Sequence, residues 1–124
     1  MKKIRILLVE DEPLISIYFA ELLEEMGHEV CSIETTETNA VAAADRLKPD
    51  LLIVDVHLRE GTGLHAVSTI LKTGFVPHIY TTGDRTISGE LTAGAIVLQK
   101  PFLDAALTQA ISAAMATRSS QLES

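Results

Sequence analysis

The sequence predicts an α/β fold in which one parallel sheet of five short strands carries helices on both faces. Two observations support this prediction. Five short strand-like runs recur along the 124-residue chain, at residues 4–9, 29–33, 51–54, 77–81 and 95–98. Segments with helical spacing of apolar residues separate the runs, and strands that alternate with helices are typical of parallel sheets. A chain of this length suits one domain with one core.

The first half of the chain contains two predicted helices. Pro13 follows the strand at residues 4–9 and suits the first turn of a helix. Apolar residues at helical spacing continue over residues 14–26, and Gly27 is a natural C-terminal stop. After the second strand, the Ala-rich segment 38–47 predicts another helix.

The second half contains three predicted helices, at residues 63–72, 87–93 and 102–117. The middle one of these is weak because it contains a glycine, which disfavours helix. We expect residues 1–118 to form one domain and residues 119–124 to form a short polar tail.

Composition excludes several classes of protein. The net charge of −7 argues against non-specific binding of nucleic acid, which relies on Lys and Arg. The single cysteine, Cys31, excludes an internal disulfide and a cysteine-built metal site, and we expect it to be a small buried apolar residue. No apolar run approaches the ~18 residues of a membrane span, and Glu10 and Asp11 interrupt the N-terminal apolar run before it could serve as a signal peptide. We expect a soluble cytoplasmic protein.

Polar side chains stand where four of the predicted strands end. Glu10 and Asp11 follow the first strand, Asp55 the third, Thr82 the fourth and Lys100 the fifth. Ligands of such sheets bind at the carboxyl ends of the strands. An unpaired acid at the end of a buried strand is also strongly unfavourable unless it serves a purpose. The pattern therefore predicts one polar site at this edge of the sheet.

Three carboxylates in a small site would repel one another, and a bound cation would remove that penalty. Hard oxygen donors favour Mg²⁺, which keeps several waters and leaves oxygens for a phosphoryl group. Asp55 is the candidate nucleophile, since a carboxylate can form an aspartyl phosphate. We expect Asp11 and Asp55 to bind Mg²⁺ directly and Glu10 to bind it through water. Lys100 and Thr82 suit the phosphoryl oxygens.

Each of these residues also has a plain structural interpretation. Glu10 and Asp11 could complement a helix dipole, Thr82 could cap a helix, and Lys100 could be a solvated loop residue. Their convergence at one edge favours the functional interpretation. His57 is expected to shield the site rather than to act in catalysis.

These residues, in this order and each at a strand end, resemble the receiver domain of two-component response regulators. The resemblance covers nearly the whole chain and includes Pro101 after Lys100. It implies a flavodoxin-like sheet of order 2-1-3-4-5 and Mg²⁺-dependent phosphotransfer to Asp55 from a histidine kinase or histidine phosphotransfer protein. It also makes the main-chain carbonyl of His57 a metal ligand, and it favours a cis Lys100-Pro101 bond.

Two stretches depart from the common receiver pattern. Receivers commonly carry Tyr or Phe three residues before the lysine, where this chain has Val97, so a switch based on an inward-moving aromatic ring cannot operate. Residues 77–83 and 98–102 instead resemble a receiver subgroup with a Phe-Ala-Thr-Gly stretch, which includes stand-alone regulators of alphaproteobacterial stress signalling. We therefore expect the signal to leave through residues 81–84.

The resulting hypothesis is a single-domain, phosphorylation-dependent binding module rather than an enzyme. An unknown partner would bind the face of the predicted fourth helix, fifth strand and last helix. The sequence is also compatible with a homodimer. The Ala-rich last helix is either an apolar docking surface or simply a sequence of high helix propensity. A phosphate sink or a phosphorelay shuttle would have the same sequence. A Mg²⁺-dependent phosphohydrolase is disfavoured, because such enzymes often carry an aspartate where this chain has His57.

The three other histidines lack ligand spacing and are expected to be structural or exposed: His28, His65 and His78.

Overall fold

Five parallel strands form one sheet in the order β2-β1-β3-β4-β5, which confirms the predicted flavodoxin-like α/β fold. The computed structural model describes residues 3–84, 87 and 89–123. The strands are β1 (Arg5–Val9), β2 (Glu29–Glu34), β3 (Leu51–Asp55), β4 (His78–Thr82) and β5 (Ile96–Gln99). The strand order reverses between β1 and β3, the position at which such sheets bind ligands.

Helices cover both faces of the sheet. They are α1 (Pro13–Glu25), α2 (Glu37–Leu47), α3 (Gly63–Ile70) and α4 (Asp104–Glu123), and a 3₁₀ turn (Leu71–Thr73) follows α3. Alternate residues of β1 enter two separate cores: Leu8 packs with the residues of α1 and α4, whereas Leu7 packs with those of α2 and α3. This alternation follows from the two-residue period of a strand. No described helix is long and apolar enough to cross a membrane.

The last helix differs from the prediction at both ends. It begins at Asp104 rather than at residue 102, where Phe102 packs its ring 5.3 Å from that of Phe19. It then continues to Glu123, through most of the segment expected to be a polar tail. Residues 104–123 contain no Gly or Pro and are rich in Ala, so nothing in their sequence ends the helix earlier.

The predicted helix at residues 87–93 is wrong for the described part of that segment. Residue 87 and residues 89–93 are not helical, and Ser88 lies outside the described residues. Gly89 has φ +115°, which a right-handed helix does not accommodate. A partner was expected to bind the face formed by a fourth helix, the fifth strand and the last helix. In the described residues, this face consists of the non-helical segment 89–95, β5 and α4.

A buried hydrogen-bond network holds the segment 89–95 against β4. His78 and Tyr80 of β4 are fully buried, and the Thr92 hydroxyl contacts His78 Nε2 at 2.5 Å and the Tyr80 hydroxyl at 2.8 Å. His78 Nδ1 lies 2.8 Å from the carbonyl oxygen of Val76 and must donate to it. Burial lowers the pKa of His78, which keeps the imidazole neutral, so Nε2 accepts from Thr92 and Thr92 accepts from Tyr80. His78 is thus structural, as expected.

Thr92→Val should destabilise the protein by about 2 kcal/mol, because it leaves a buried imidazole nitrogen and a buried phenol without a partner. Urea unfolding measures the loss. Thr108→Val is the matched control, since the Thr108 hydroxyl donates to a carbonyl oxygen on the exposed face of α4. Equal stability of the two variants would contradict the role assigned to Thr92.

Candidate functional site

The carboxyl ends of four strands bring the predicted polar residues to one edge of the sheet. Val9 of β1 pairs with Val54 of β3, so Glu10 and Asp55 emerge side by side. Asp55 pairs in turn with Thr81 of β4, which places Thr82 one residue further toward the same edge. The site therefore sits where the strand order reverses.

Lys100 joins the two buried acids of the site. Its Nζ donates to Asp55 Oδ2 at 2.8 Å and to Glu10 Oε1 at 3.0 Å. The Glu10 and Asp55 side chains are only 3% and 10% exposed, so the ion pairs lie largely out of water. The Lys100 main-chain nitrogen donates to the carbonyl oxygen of Thr82 at 2.7 Å, and the Lys100-Pro101 bond is cis, as the resemblance implies.

Burial and neighbouring charges shift the pKa values of these groups. Burial disfavours the charged form of Lys100, but the hydrogen bonds and charges of Asp55 and Glu10 outweigh it and raise the pKa of Lys100. Burial raises the pKa of Glu10, with a contribution from the Asp55 charge, and the hydrogen bond from Lys100 opposes this rise only in part. The site is therefore a crowded pair of acids that one internal cation neutralises.

The loop after β3 approaches Asp55 closely. Asp55 Oδ1 accepts from the main-chain nitrogen of His57 at 3.0 Å. Gly63 at the start of α3 lies so near that a Cβ there would stand 2.0 Å from the main-chain oxygen of Asp55. Only glycine fits this position, which gives Gly63 a structural role beside Asp55.

Asp11 faces the same loop from the other side. Its Oδ2 accepts from the main-chain nitrogen of Arg59 at 2.6 Å, and the Arg59 guanidinium contacts Glu12 at 3.2 Å. Lys100 does not contact Asp11 in the structure. Sequence reasoning missed Arg59, because its contacts with Asp11 and Glu12 span more than 45 residues.

The donor set of the site is suited to Mg²⁺ in kind, since its charged ligands are all carboxylate oxygens. Among the described residues, however, no three acidic, His or Cys side chains are arranged around one point. Lys100 occupies the space between Glu10 and Asp55, and Asp11 is directed toward Arg59. The structure therefore pairs each of these acids with a basic side chain or its main chain: Glu10 and Asp55 with Lys100, and Asp11 with Arg59.

Thr82 is almost fully buried, and its hydroxyl oxygen accepts from the main-chain nitrogen of Asp84 at 3.0 Å. The Asp84 carboxylate in turn contacts His57 Nε2 at 2.7 Å. The His57 and Asp84 side chains are 68% and 62% exposed. They form a bridge between the loops that follow β3 and β4, on the solvent side of Asp55 and Thr82.

Glu37 at the start of α2 anchors the loop after β3. Its Oε1 accepts from the main-chain nitrogen of Thr62 at 2.9 Å, and its other oxygen pairs with His65 Nδ1. These contacts lower the pKa of Glu37. The hydrogen bond from Thr62 has the largest effect, and the hydrogen bond with His65 has the second largest. No local pattern marks Glu37, since its partners lie 25 and 28 residues away.

Comparison with known proteins adds independent evidence. Residues 6–112 match the model of the response regulator receiver domain. The phyllosphere-induced regulator PhyR of Methylorubrum extorquens is 40% identical over 114 residues, which cover 89% of this chain and 43% of that protein.

Two solved structures are similar as well. The response regulator PhyR from Brucella abortus superposes with a TM-score of 0.85 at 30% identity, covering 98% of this chain and 51% of that one. The receiver domain of Erythrobacter litoralis PhyR gives a TM-score of 0.80 at 32% identity, covering 93% and 92%. The chain thus spans about half the length of the first two relatives.

Proposed function

Because the chain belongs to the response regulator receiver domain family, we propose that Asp55 accepts a phosphoryl group in a Mg²⁺-dependent reaction and that the phosphorylated form binds a partner protein. The observation that carries the proposal is the contact of Lys100 with both Asp55 and Glu10 at the carboxyl edge of the sheet. Two nearly buried acids need a neighbouring positive charge, and the Lys100 ammonium group supplies it. The donor would be a histidine kinase or a histidine phosphotransfer protein.

Transfer requires one new bond and one broken bond. A carboxylate oxygen of Asp55 attacks the phosphorus of a phosphohistidine, the P–N bond breaks, and the imidazole nitrogen of the donor retains the electron pair. Lys100 and the Thr82 hydroxyl would then contact the phosphoryl oxygens. Glu10, Asp11, Asp55 and the carbonyl of His57 would hold Mg²⁺, which supplies positive charge to those oxygens when bound.

The proposed signal leaves through the loop after β4. Thr82 accepts from the Asp84 nitrogen through its hydroxyl oxygen, so a Thr82 that turns toward a phosphoryl group would give up this bond. The Asp84 carboxylate would keep its contact with His57 Nε2, since that contact does not involve Thr82. We propose that phosphorylation shifts the equilibrium between a loop with the Thr82–Asp84 hydrogen bond and a loop without it. Val97 on β5 is half exposed and offers no ring to move inward.

Mass spectrometry of the intact protein after incubation with acetyl phosphate and Mg²⁺ tests the proposal. We expect the mass of one phosphoryl group to be added, and chelation of Mg²⁺ to prevent the addition. An unchanged mass with both acetyl phosphate and a phosphorylated histidine donor would refute the proposal. Rapid return of the group to a histidine phosphotransfer protein would favour a shuttle or sink, whereas turnover of phosphate esters in excess over protein would indicate a phosphohydrolase.

Removal of the bridge between His57 and Asp84 should shorten the phosphoryl lifetime severalfold, because the bridge covers the solvent side of the acceptor. His57→Ala and Asp84→Ala each break it, and the decay of the phosphorylated mass measures the effect. His65→Ala is the matched control, since His65 is equally exposed but pairs with Glu37. Decay rates unchanged in both bridge variants would contradict this prediction.

A further inference from the structure

A cavity lies at the opposite edge of the sheet from Asp55. Ile4, which directly precedes β1, and His28, which directly precedes β2, both line it, so it stands at the amino ends of the strands. Its volume is about 510 Å³, within the range of about 300–1,000 Å³ typical of small-molecule sites. The cavity shares no residue with the phosphoacceptor site.

The walls of this cavity are largely apolar. One wall is the end of α1 and the turn after it, with Met26 and His28. The other wall is one stripe of α4, whose residues follow at helical spacing: Thr108, Ile111, Ser112 and Met115. Flexible methionines on both walls adapt to the shape of a bound apolar group. The hydroxyls of Thr108 and Ser112 belong to exposed residues at the rim.

His28 is the unexplained polar group of the cavity. The residue is 5% exposed, and its Nδ1 is buried without a hydrogen-bond partner among the described residues. Its main-chain nitrogen donates to the carbonyl oxygen of Leu23 at 3.1 Å, which holds the backbone at this position. A buried unpaired nitrogen is unfavourable, and native structures rarely keep one without a reason. The proposed pairing requires the imidazole to rotate about its broad χ2 torsion, which would exchange the positions of Nδ1 and Cδ2.

We propose that this cavity binds an apolar small molecule that carries one hydroxyl group, of the alkylphenol or aliphatic alcohol class, with the hydroxyl paired to His28. Burial lowers the pKa of His28, and a neutral imidazole offers one donor nitrogen and one acceptor nitrogen. A hydroxyl can donate or accept, so it satisfies Nδ1 in either tautomer. A carboxylate or ammonium head group would instead bring an unpaired charge into an apolar site. The remaining surface of the ligand would contact Met26, Ile111 and Met115.

Titration of the protein with 4-butylphenol, followed by the methyl resonances of Met26 and Met115, tests this proposal. Both resonances should shift, and butylbenzene, which lacks the hydroxyl, should bind roughly tenfold more weakly. His28→Phe keeps an aromatic ring but removes its nitrogens, so it should abolish the preference for the phenol. The titration needs neither Mg²⁺ nor a phosphodonor, so its result is independent of the function proposed for Asp55.

Two further variants separate occupation of the cavity from surface binding. Ser112→Trp fills the cavity from an exposed position on α4 and should abolish binding of both probes. Gln109→Trp places the same side chain at an exposed neighbouring position that does not line the cavity, and binding should persist. Methyl resonances that do not shift, equal affinity for both probes, unchanged binding by Ser112→Trp, or a phenol preference that survives in His28→Phe would each overturn the proposal.

Discussion

Asp55→Asn is expected to abolish phosphoryl acceptance from acetyl phosphate and from a phosphohistidine donor, while the wild-type protein accepts one group. The amide keeps the shape of the side chain but is a far weaker nucleophile than the carboxylate. Quantification of the phosphorylated intact mass at a fixed time measures the difference.

The variant should remain folded, which makes the loss of acceptance interpretable. Burial and the Asp55 charge both raise the pKa of Glu10, so removing the Asp55 charge relieves a repulsion inside the site. Lys100 keeps its contact with Glu10 at 3.0 Å. The expected thermal midpoint is therefore equal to or above that of the wild type.

Asp45→Asn is the matched control for this prediction. Asp45 lies on α2 with a side chain that is 77% exposed, and it contacts only Lys48 in the described structure. Its substitution should leave acceptance unchanged. Acceptance by Asp55→Asn at the wild-type rate would show that the acceptor is another residue and would remove the basis of the proposed function.

The sequence alone was sufficient to predict the sheet and the edge of the sheet at which the polar residues meet. Apolar runs such as residues 51–54 are buried on both sides in a parallel sheet, so they identify central strands without ambiguity. The end of each strand can then be located in the sequence. Because the strands are parallel, Glu10, Asp55 and Thr82 must lie at the same edge of the sheet.

The parts that sequence reasoning missed depend on contacts between distant segments. The segment 87–93 has a weak helical pattern, but Gly89 and the buried bonds of Thr92 to His78 and Tyr80 hold its described residues in another conformation. Tertiary contacts outweigh propensity in such a segment. The anchoring of Asp11 by Arg59 likewise joins residues 48 apart, and no local spacing marks it.

Lys100→Met is expected to lower the free energy of unfolding by about 2 kcal/mol at neutral pH in the presence of a chelator. Breaking a fully buried ion pair costs about 3–5 kcal/mol, because it leaves an uncompensated charge. The smaller value applies here, since the Lys100 side chain is 23% exposed and solvent screens part of the interaction. Methionine keeps the unbranched chain but supplies no charge to Glu10 and Asp55.

The loss should depend on pH in a defined direction. The pKa of Glu10 in the folded wild-type protein already lies above its ordinary value of 4.5, and the hydrogen bond from Lys100 opposes that rise. Without Lys100 the pKa rises further, so the folded variant retains the proton over a wider range than the unfolded chain does. The stability deficit should therefore be small near about pH 4 and grow as Glu10 loses its proton toward about pH 7.

Chemical unfolding at these two pH values measures the deficit, and Lys48→Met is the matched control. The described polar contact of the Lys48 side chain is with the exposed Asp45, at 3.4 Å, so its substitution should change stability by about 0.5 kcal/mol or less at either pH. Added Mg²⁺ should restore more stability to Lys100→Met than to the wild type, because a bound cation replaces the lost charge and binding favours the folded state. A deficit that is the same at both pH values would mean that Lys100 stabilises the fold by packing alone. Charge balance at the proposed phosphoacceptor would then have to be assigned to residues other than Lys100.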